Sequence, residues 1–186
     1  MSLPLRSLSR IGLFVALAVA VSVFFRFTAT LVPFSLLPFV VFLAGLTLTP
    51  KEAFLSMVGY VFLGLVGLPV FASPPFGGPG YILRPTFGFL LGFLLAAPGV
   101  AWFLRGPSHS FFRFLGASLV GILLLYPPGL LYLWVIMRVM GKSFTAYQVL
   151  QVGFFPFIGF DILKAFLAAT LAFRMEKRVR RGGGTK

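Results

Sequence analysis

IGLFVALAVAVSVFF, residues 11–25, is an uncharged, predominantly apolar run with Arg10 before it and Arg26 after it. A helix crosses the hydrocarbon layer of a bilayer with about 20 predominantly apolar residues. Basic residues at both ends of such a run are typical of anchors at the membrane surface. A secretory signal peptide would also need a small-residue cleavage site followed by a soluble domain, and neither appears. We therefore interpret this run as the first of several membrane helices.

The composition of the whole chain favours the same environment. Hydrophobic residues make up 59% of the 186 residues and charged residues only 10%, whereas a soluble domain carries about 25% charged residues. The net charge of +13 comes from 16 Lys and Arg residues, which lie mainly at the ends of apolar runs and in the last residues of the chain. This placement is typical of topology signals and contacts with membrane lipid, and it argues against a nucleic-acid-binding surface.

Several classes of chemistry are excluded by what the sequence lacks. The chain has no cysteine, one histidine (His109) and three acidic residues, so thiol catalysis and Cys-ligated metal sites are excluded and a histidine-based metal site is unsupported. Neither a phosphate-binding P-loop nor a metalloprotease motif is present. We expect no enzyme activity, no cofactor and no metal. If the protein accumulates a solute, a partner must supply the energy.

Apolar runs along the chain predict an all-α integral membrane protein of six helices. The predicted spans are 11–25, 34–48, 53–68, 86–104, 112–140 and 159–173. The fifth span contains Pro127 and Pro128, and we favour one kinked helix because neither half alone is long enough to cross. Proline is tolerated in such helices when neighbours cover the freed carbonyls. If these prolines instead mark a true turn, the count becomes seven.

The distribution of charge predicts the orientation of the six-helix arrangement. With both termini cytoplasmic, eleven Lys and Arg residues lie in inside segments and four in outside segments, while Lys164 falls within the last span. This asymmetry obeys the positive-inside rule. The sequence therefore predicts a single membrane domain over residues 1–186 that ends in a basic cytoplasmic tail, residues 174–186.

Asp161 and Lys164 are charged residues inside the last apolar span. Residues three apart share one face of a helix, so the carboxylate and the ammonium group can meet. Charges at membrane depth are unfavourable and usually face a cavity or a partner. Two interpretations stay open: a structural ion pair, or a polar ligand site near the outer end of the helix.

The segment between the third and fourth spans, residues 69–85, is rich in proline and glycine and is called the Pro/Gly loop below. Proline removes backbone donors and glycine lowers helix stability, so a regular helix is excluded here. Its apolar and aromatic residues predict a lid on the outer side that folds back over the helices. At its end, Arg84 either extends to the membrane interface or binds a carboxylate with its planar donor fork.

Small residues four apart mark two of the spans. Ala16 and Ala20 form such a pair in the first span, and Gly88 and Gly92 in the fourth. Small residues let two helices approach closely. Each pair is consistent with packing inside this chain or with docking of another membrane subunit.

Four blocks of sequence, in this order and at this spacing, resemble the BioY family. The blocks are VPFSLLPFVVFLAGLTLTPK (residues 32–51), GLVGLPVFA (64–72), RPTFGFLLGF (84–93) and FPFIGFDILKA (155–165). Members of this family are the biotin-binding S components of energy-coupling factor (ECF) transporters. The resemblance implies a substrate-capture subunit with six helices and an outward-facing biotin pocket, located as a multi-pass protein in a prokaryotic plasma membrane.

The resemblance also implies partners. In the family, a membrane T subunit and two ABC-type ATPases complete the transporter, and small residues of the first helix dock that module, which gives Ala16 and Ala20 a role. Three alternatives remain: a stand-alone biotin facilitator, an S component for another vitamin, and a membrane-embedded enzyme or structural subunit.

Candidate contacts with biotin follow from the resemblance and the residue chemistry. We assign Arg84 to the carboxylate and Asp161 to a urea N–H, with Lys164 holding the charge of Asp161 or donating to the ligand. Arg84 and Lys164 can exchange these roles. The weaker candidates are polar residues Ser73, Thr86 and Tyr147, and the aromatic residues Phe71 and Tyr81, which could pack on the rings.

Overall fold

A computed structural model describes residues 4–28, 35–106 and 110–182, with side chains for 4–26, 35–106 and 110–178. The predicted start of the second span at Phe34, His109 and the basic side chains of the tail beyond Arg178 lie outside these ranges. The described chain forms seven α-helices and one short 3₁₀ turn at Pro79–Leu83. The helices are α1 (Leu5–Thr28), α2 (Leu37–Thr47), α3 (Pro50–Leu65), α4 (Phe87–Phe103), α5 (Phe111–Val139), α6 (Ala146–Gly153) and α7 (Phe155–Gly182). The predicted all-α class is confirmed.

Three helices in the described part of the chain are long and apolar enough to cross a membrane, namely α1, α5 and α7. Helix α5 has 29 residues and continues through Pro127 and Pro128, so at about 1.5 Å per residue it is about 43 Å long. Helices α2 and α4 are also apolar but shorter, with 11 and 17 residues.

Helix α2 is the central helix of the bundle. Nine of its 11 residues are buried, and it contacts α1, α3, α4, α5 and α7. A helix that is hydrophobic all round belongs inside a larger protein or a membrane. These five helices surround it, with α1 packed on α3 and α4 packed along α5, while α6 packs on α5 and α7.

Glycines allow the close contact between α4 and α5. A Cβ atom added at Gly88 would overlap Tyr132, and one added at Gly92 would overlap the backbone carbonyl of Leu125. This pair of small residues therefore serves packing inside the chain, the simpler of the two interpretations of its spacing.

Two capping boxes fix where helices begin. Thr49 accepts a hydrogen bond from the backbone N–H of Glu52 at 3.3 Å, while the Glu52 carboxylate accepts one from the backbone N–H of Thr49 at 3.0 Å. Thr145 and Gln148 form the same arrangement at the start of α6. Each box satisfies backbone donors that the first turn leaves without partners. The second begins a helix that hydropathy did not predict.

Candidate ligand-binding site

The helices line a cavity of about 320 Å³, within the range of small-molecule sites. Its walls come from every α-helix named above and from the Pro/Gly loop. The lining residues are Phe25, Ser35, Leu37, Pro38, Tyr60, Ala72, Ser73, Tyr81, Thr86, Phe89, Leu90, Phe93, Leu125, Tyr126, Gly153, Phe157, Asp161 and Lys164. Most of this surface is aromatic or aliphatic, so its few polar groups must orient any ligand.

The most polar wall is one face of α7. Phe157, Asp161 and Lys164 line the cavity because residues three, four and seven apart follow one side of a helix. The Lys164 ammonium donates to Oδ1 of Asp161 at 2.7 Å, and both residues are only 4% exposed. Buried charged groups in proteins are usually paired and hydrogen-bonded, as these two are. The two side chains form the contact predicted from their spacing, and the pair faces a cavity.

Tyr126 of α5 completes this charged cluster. Its hydroxyl donates to Oδ2 of Asp161 at 2.7 Å, so each carboxylate oxygen accepts a hydrogen bond. The ring is held edge-on between Phe89 and Phe154, at centroid distances of 6.1 and 4.9 Å. The carboxylate is therefore fixed from two helices and presented to the cavity in one orientation.

The Pro/Gly loop forms another wall. Its backbone folds back at Phe71, whose N–H donates to the Phe76 carbonyl at 2.8 Å, and the hydroxyls of Ser73 and Tyr81 share a hydrogen bond of 2.8 Å at the cavity surface. At the far end, the Tyr132 hydroxyl of α5 donates to a loop carbonyl, that of Ile82.

One glycine of α3 makes room for this loop. A Cβ atom added at Gly64 would overlap the ring of Phe71. Phe71 is fully buried and packs between Tyr60 and Tyr81, at centroid distances of 5.7 and 4.2 Å. The loop is thus packed against the helices through an aromatic stack whose outer members line the cavity.

Comparison with known proteins identifies the family. The BioY family model matches residues 1–181, nearly the whole chain. The protein belongs to the BioY family. A Lysinibacillus sphaericus protein named "Probable biotin transporter BioY" is 39% identical over 176 residues, covering 94% of this chain and 88% of the relative. The "Biotin transporter BioY" of Thermotoga maritima is 36% identical over 173 residues, covering 93% and 97%.

A solved structure shares the fold of this BioY-family chain. It is described as the S-component for biotin from an ECF-type ABC transporter. The two folds superpose with a TM-score of 0.76 over 92% of this chain and 91% of the other, at 22% sequence identity. The comparison therefore supports the helical architecture around the cavity.

Five of the predicted biotin contacts of this BioY-family chain line the cavity. They are Ser73, Tyr81, Thr86, Asp161 and Lys164. These positions come from two distant parts of the sequence, residues 73–86 and 161–164, and the fold brings them to one chamber. Their contacts with a ligand stay predictions.

Three other predicted contacts lie outside the lining. Phe71 is buried behind Tyr81, and Tyr147 lies on α6 with 63% of its surface exposed. Arg84 is exposed, and its Nε donates to the Pro74 carbonyl within the loop at 2.7 Å. A ligand carboxylate would have to displace that carbonyl to reach Nε. The predicted roles of these three residues are untested.

Sequence reasoning missed several lining residues, of which Tyr60 and Tyr126 matter most. Both carry a hydroxyl inside an apolar span, a signal of a buried polar partner that could have been noticed. The aromatic residues Phe89, Phe93 and Phe157 carried no such signal, because 25 phenylalanines are spread along the chain.

The predicted docking residues of this BioY-family chain lie on the outer surface of α1. Ala16 and Ala20 are exposed, whereas Ala18 between them is fully buried. Helix α1 therefore presents a small-residue face away from the bundle and packs its other face against α3.

Proposed function

We propose that this BioY-family protein is a biotin-capturing S subunit and that the cavity is its biotin site. The observation that carries the proposal is the Asp161–Lys164–Tyr126 cluster on the wall of an otherwise largely apolar chamber. Buried charged groups that face a cavity are suited to orienting a small amphipathic ligand.

The chemistry of biotin matches this chamber. A cyclic urea presents two N–H donors beside one carbonyl acceptor, and the cluster presents a carboxylate acceptor beside an ammonium donor 2.7 Å away. Asp161 accepts from a urea N–H, and Lys164 donates to the ligand while it stays hydrogen-bonded to the carboxylate. Hydrogen bonds to charged groups are about twice as strong as neutral ones. The fused rings and the aliphatic chain lie along the aromatic and aliphatic walls.

The ligand carboxylate then points toward the Pro/Gly loop. Arg84 lies near the end of this loop and is the predicted cationic partner of the carboxylate. In this arrangement its guanidinium exchanges the Pro74 carbonyl for the carboxylate when biotin binds. Ser73, Tyr81 and Thr86 provide hydroxyl groups on that side of the chamber. In the reverse assignment, Lys164 binds the carboxylate and Arg84 the urea carbonyl.

The proposed membrane arrangement has six spans with both termini in the cytoplasm and the Pro/Gly loop as an outer lid. The excess of Lys and Arg in the inside segments supports this orientation. In this arrangement α2, α3 and α4 cross with α1, α5 and α7, and biotin enters from outside the plasma membrane. The spans form one domain, followed by the basic cytoplasmic tail from residue 174.

The proposed partners are a membrane T subunit and two ABC-type ATPases. The chain has no nucleotide-binding motif of its own, so accumulation against a gradient requires such a module. The exposed small-residue face at Ala16 and Ala20 supports close docking of a partner helix in the membrane.

Equilibrium titration of the purified chain in detergent with labelled biotin tests the proposal. We expect saturable binding that unlabelled biotin competes away and riboflavin does not. Folded protein, verified by its helical circular dichroism, that binds no biotin would refute the proposal. Biotin amide separates the two orientations: if Arg84 binds the carboxylate, Arg84→Ala weakens binding of biotin and leaves binding of the uncharged amide unchanged.

A further inference from the structure

Arg26, in the last turn of α1, reaches the root of the Pro/Gly loop. Its Nη2 donates to the carbonyl of Pro69 at 2.6 Å and to that of Phe71 at 2.8 Å. The guanidinium also lies over the ring of Phe76, 4.1 Å from its centroid. One side chain of α1 therefore holds both the start of the loop and the residue at which it folds back.

A second residue of α1, Ser22, is linked by hydrogen bonds to the Val70 carbonyl, which lies between the carbonyls of Pro69 and Phe71. Ser22 lies one turn before Arg26 and shares a 2.8 Å hydrogen bond with the Tyr60 hydroxyl, which lies 3.4 Å from the Val70 carbonyl. Ser22 and Tyr60 are 2% and 1% exposed. Three consecutive carbonyls, at residues 69–71, are thus held by donors on or connected to one face of α1, and Tyr60 also lines the cavity.

The loop conformation that these contacts hold is an unfavourable one. Phe76 has a φ of +66°, in a backbone region that residues other than glycine rarely adopt. Such a conformation is retained only where surrounding contacts hold it in place. The contact of Arg26 with the Phe76 ring and the hydrogen bond from Phe71 to Phe76 supply that constraint.

The guanidinium is oriented toward the loop at the expense of its own solvation. Its Nε is buried, and within the described side chains no acceptor reaches it. A buried donor left without a partner is unfavourable. The two short hydrogen bonds from Nη2 and the ring contact are the compensating interactions, which marks the loop as the target of this side chain.

We propose that Arg26 is a positioning residue that holds the Pro/Gly loop closed over the cavity and thereby slows the dissociation of biotin. The loop residues that line the cavity, Ala72, Ser73 and Tyr81, all follow the segment 69–71 that Arg26 holds. Release of that segment opens the wall through which the ligand leaves. This inference rests on the proposed biotin site, and Arg26 itself does not line the cavity.

The first test measures dissociation of labelled biotin from the purified full-length chain by chase with unlabelled biotin. We expect Arg26→Ala to raise the dissociation rate constant roughly tenfold or more, the effect of losing a charge-assisted hydrogen bond. Arg26→Lys keeps a cation that can donate to the same carbonyls and should restore part of the retention. The matched control is Arg6→Ala, which removes an exposed arginine at the other end of α1 and should dissociate like the wild type.

A role of Arg26 in folding alone has a different signature. It would lower the fraction of protein that binds biotin and leave the dissociation rate of the remaining fraction unchanged. That result, or equal rates in Arg26→Ala and wild type, would overturn the proposal.

The second test needs no ligand. The chain has no cysteine, so Val70→Cys introduces a single thiol at a site that is 7% exposed. We expect maleimide to label this thiol roughly tenfold faster when Arg26→Ala is added, since the released segment becomes accessible. Equal labelling rates would refute closure by Arg26. A wild type that binds no biotin would refute the proposed function. The labelling experiment would still test whether Arg26 holds the Pro/Gly loop closed, because it needs no ligand.

Discussion

We expect the contributions of Asp161 and Lys164 to the stability of the fold to be strongly coupled, because both side chains are buried. Both are 4% exposed and 2.7 Å apart. Asp161→Asn leaves a buried ammonium group without its counter-charge, and Lys164→Met leaves a buried carboxylate with Tyr126 as its hydrogen-bond donor. Removal of one partner from a buried pair lowers stability by about 3–5 kcal/mol. The double variant removes both charges and should lose much less than the sum of the single losses.

The assay is the free energy of unfolding in detergent, followed by helical circular dichroism, for the wild type, both single variants and the double variant. We expect an interaction energy of about 2 kcal/mol or more from this cycle. The matched control is Lys51→Met, the same substitution at an exposed lysine in the first turn of α3, which should alter stability by about 0.5 kcal/mol or less. Losses that add to within about 0.5 kcal/mol would show that the two charges are energetically independent and would refute the reasoning.

Two further predictions concern the loop and the outer face of α1. Gly64→Ala places a methyl group in the space of the Phe71 ring, so it should lower stability by about 1–3 kcal/mol and speed maleimide labelling of Val70→Cys. The control is Gly159→Ala, where an added Cβ meets nothing within 4 Å, and it should have neither effect. Equal behaviour of the two variants would contradict the packing argument. Ala20→Leu should reduce co-purification of a co-expressed T subunit without changing biotin affinity, whereas Ala146→Leu on α6 should leave both unchanged; full retention of the T subunit in Ala20→Leu would exclude docking through this face.

Local patterns in the sequence were sufficient for the helical class and for part of the site. Apolar runs identify helices because hydropathy and helix length depend on neighbouring residues only. The meeting of Asp161 and Lys164 was predictable for the same reason, since both lie on one helix and three positions apart.

Contacts between distant segments were not predictable in this way. Tyr126 bonds to Asp161 across 35 positions, and this pairing depends on how α5 packs against α7. Arg84 follows the Pro/Gly loop directly, which suggested a pocket residue, but the fold of the loop brings its Nε to the Pro74 carbonyl. No single-sequence pattern specifies that turn of the backbone.

Helix α6 was missed for a different reason. Its eight residues are too few and too polar for a membrane span, so hydropathy predicts no helix in this segment. The signal was nevertheless present, because Thr145 and Gln148 have the spacing of a capping box at a helix start. Attention to such caps would have predicted the helix that contributes Gly153 to the cavity.

Biotin affinity of the Asp161→Asn variant tests the central claim, that the charged cluster on α7 binds the ligand, most directly. The substitution keeps the size of the side chain and removes the charge, so a charge-assisted hydrogen bond to a urea N–H is lost, an effect of about 1.5–3 kcal/mol. Equilibrium titration of the purified, folded variant should therefore give a Kd about 10- to 150-fold above that of the wild type. An unchanged Kd in a variant with native helical content would contradict the account.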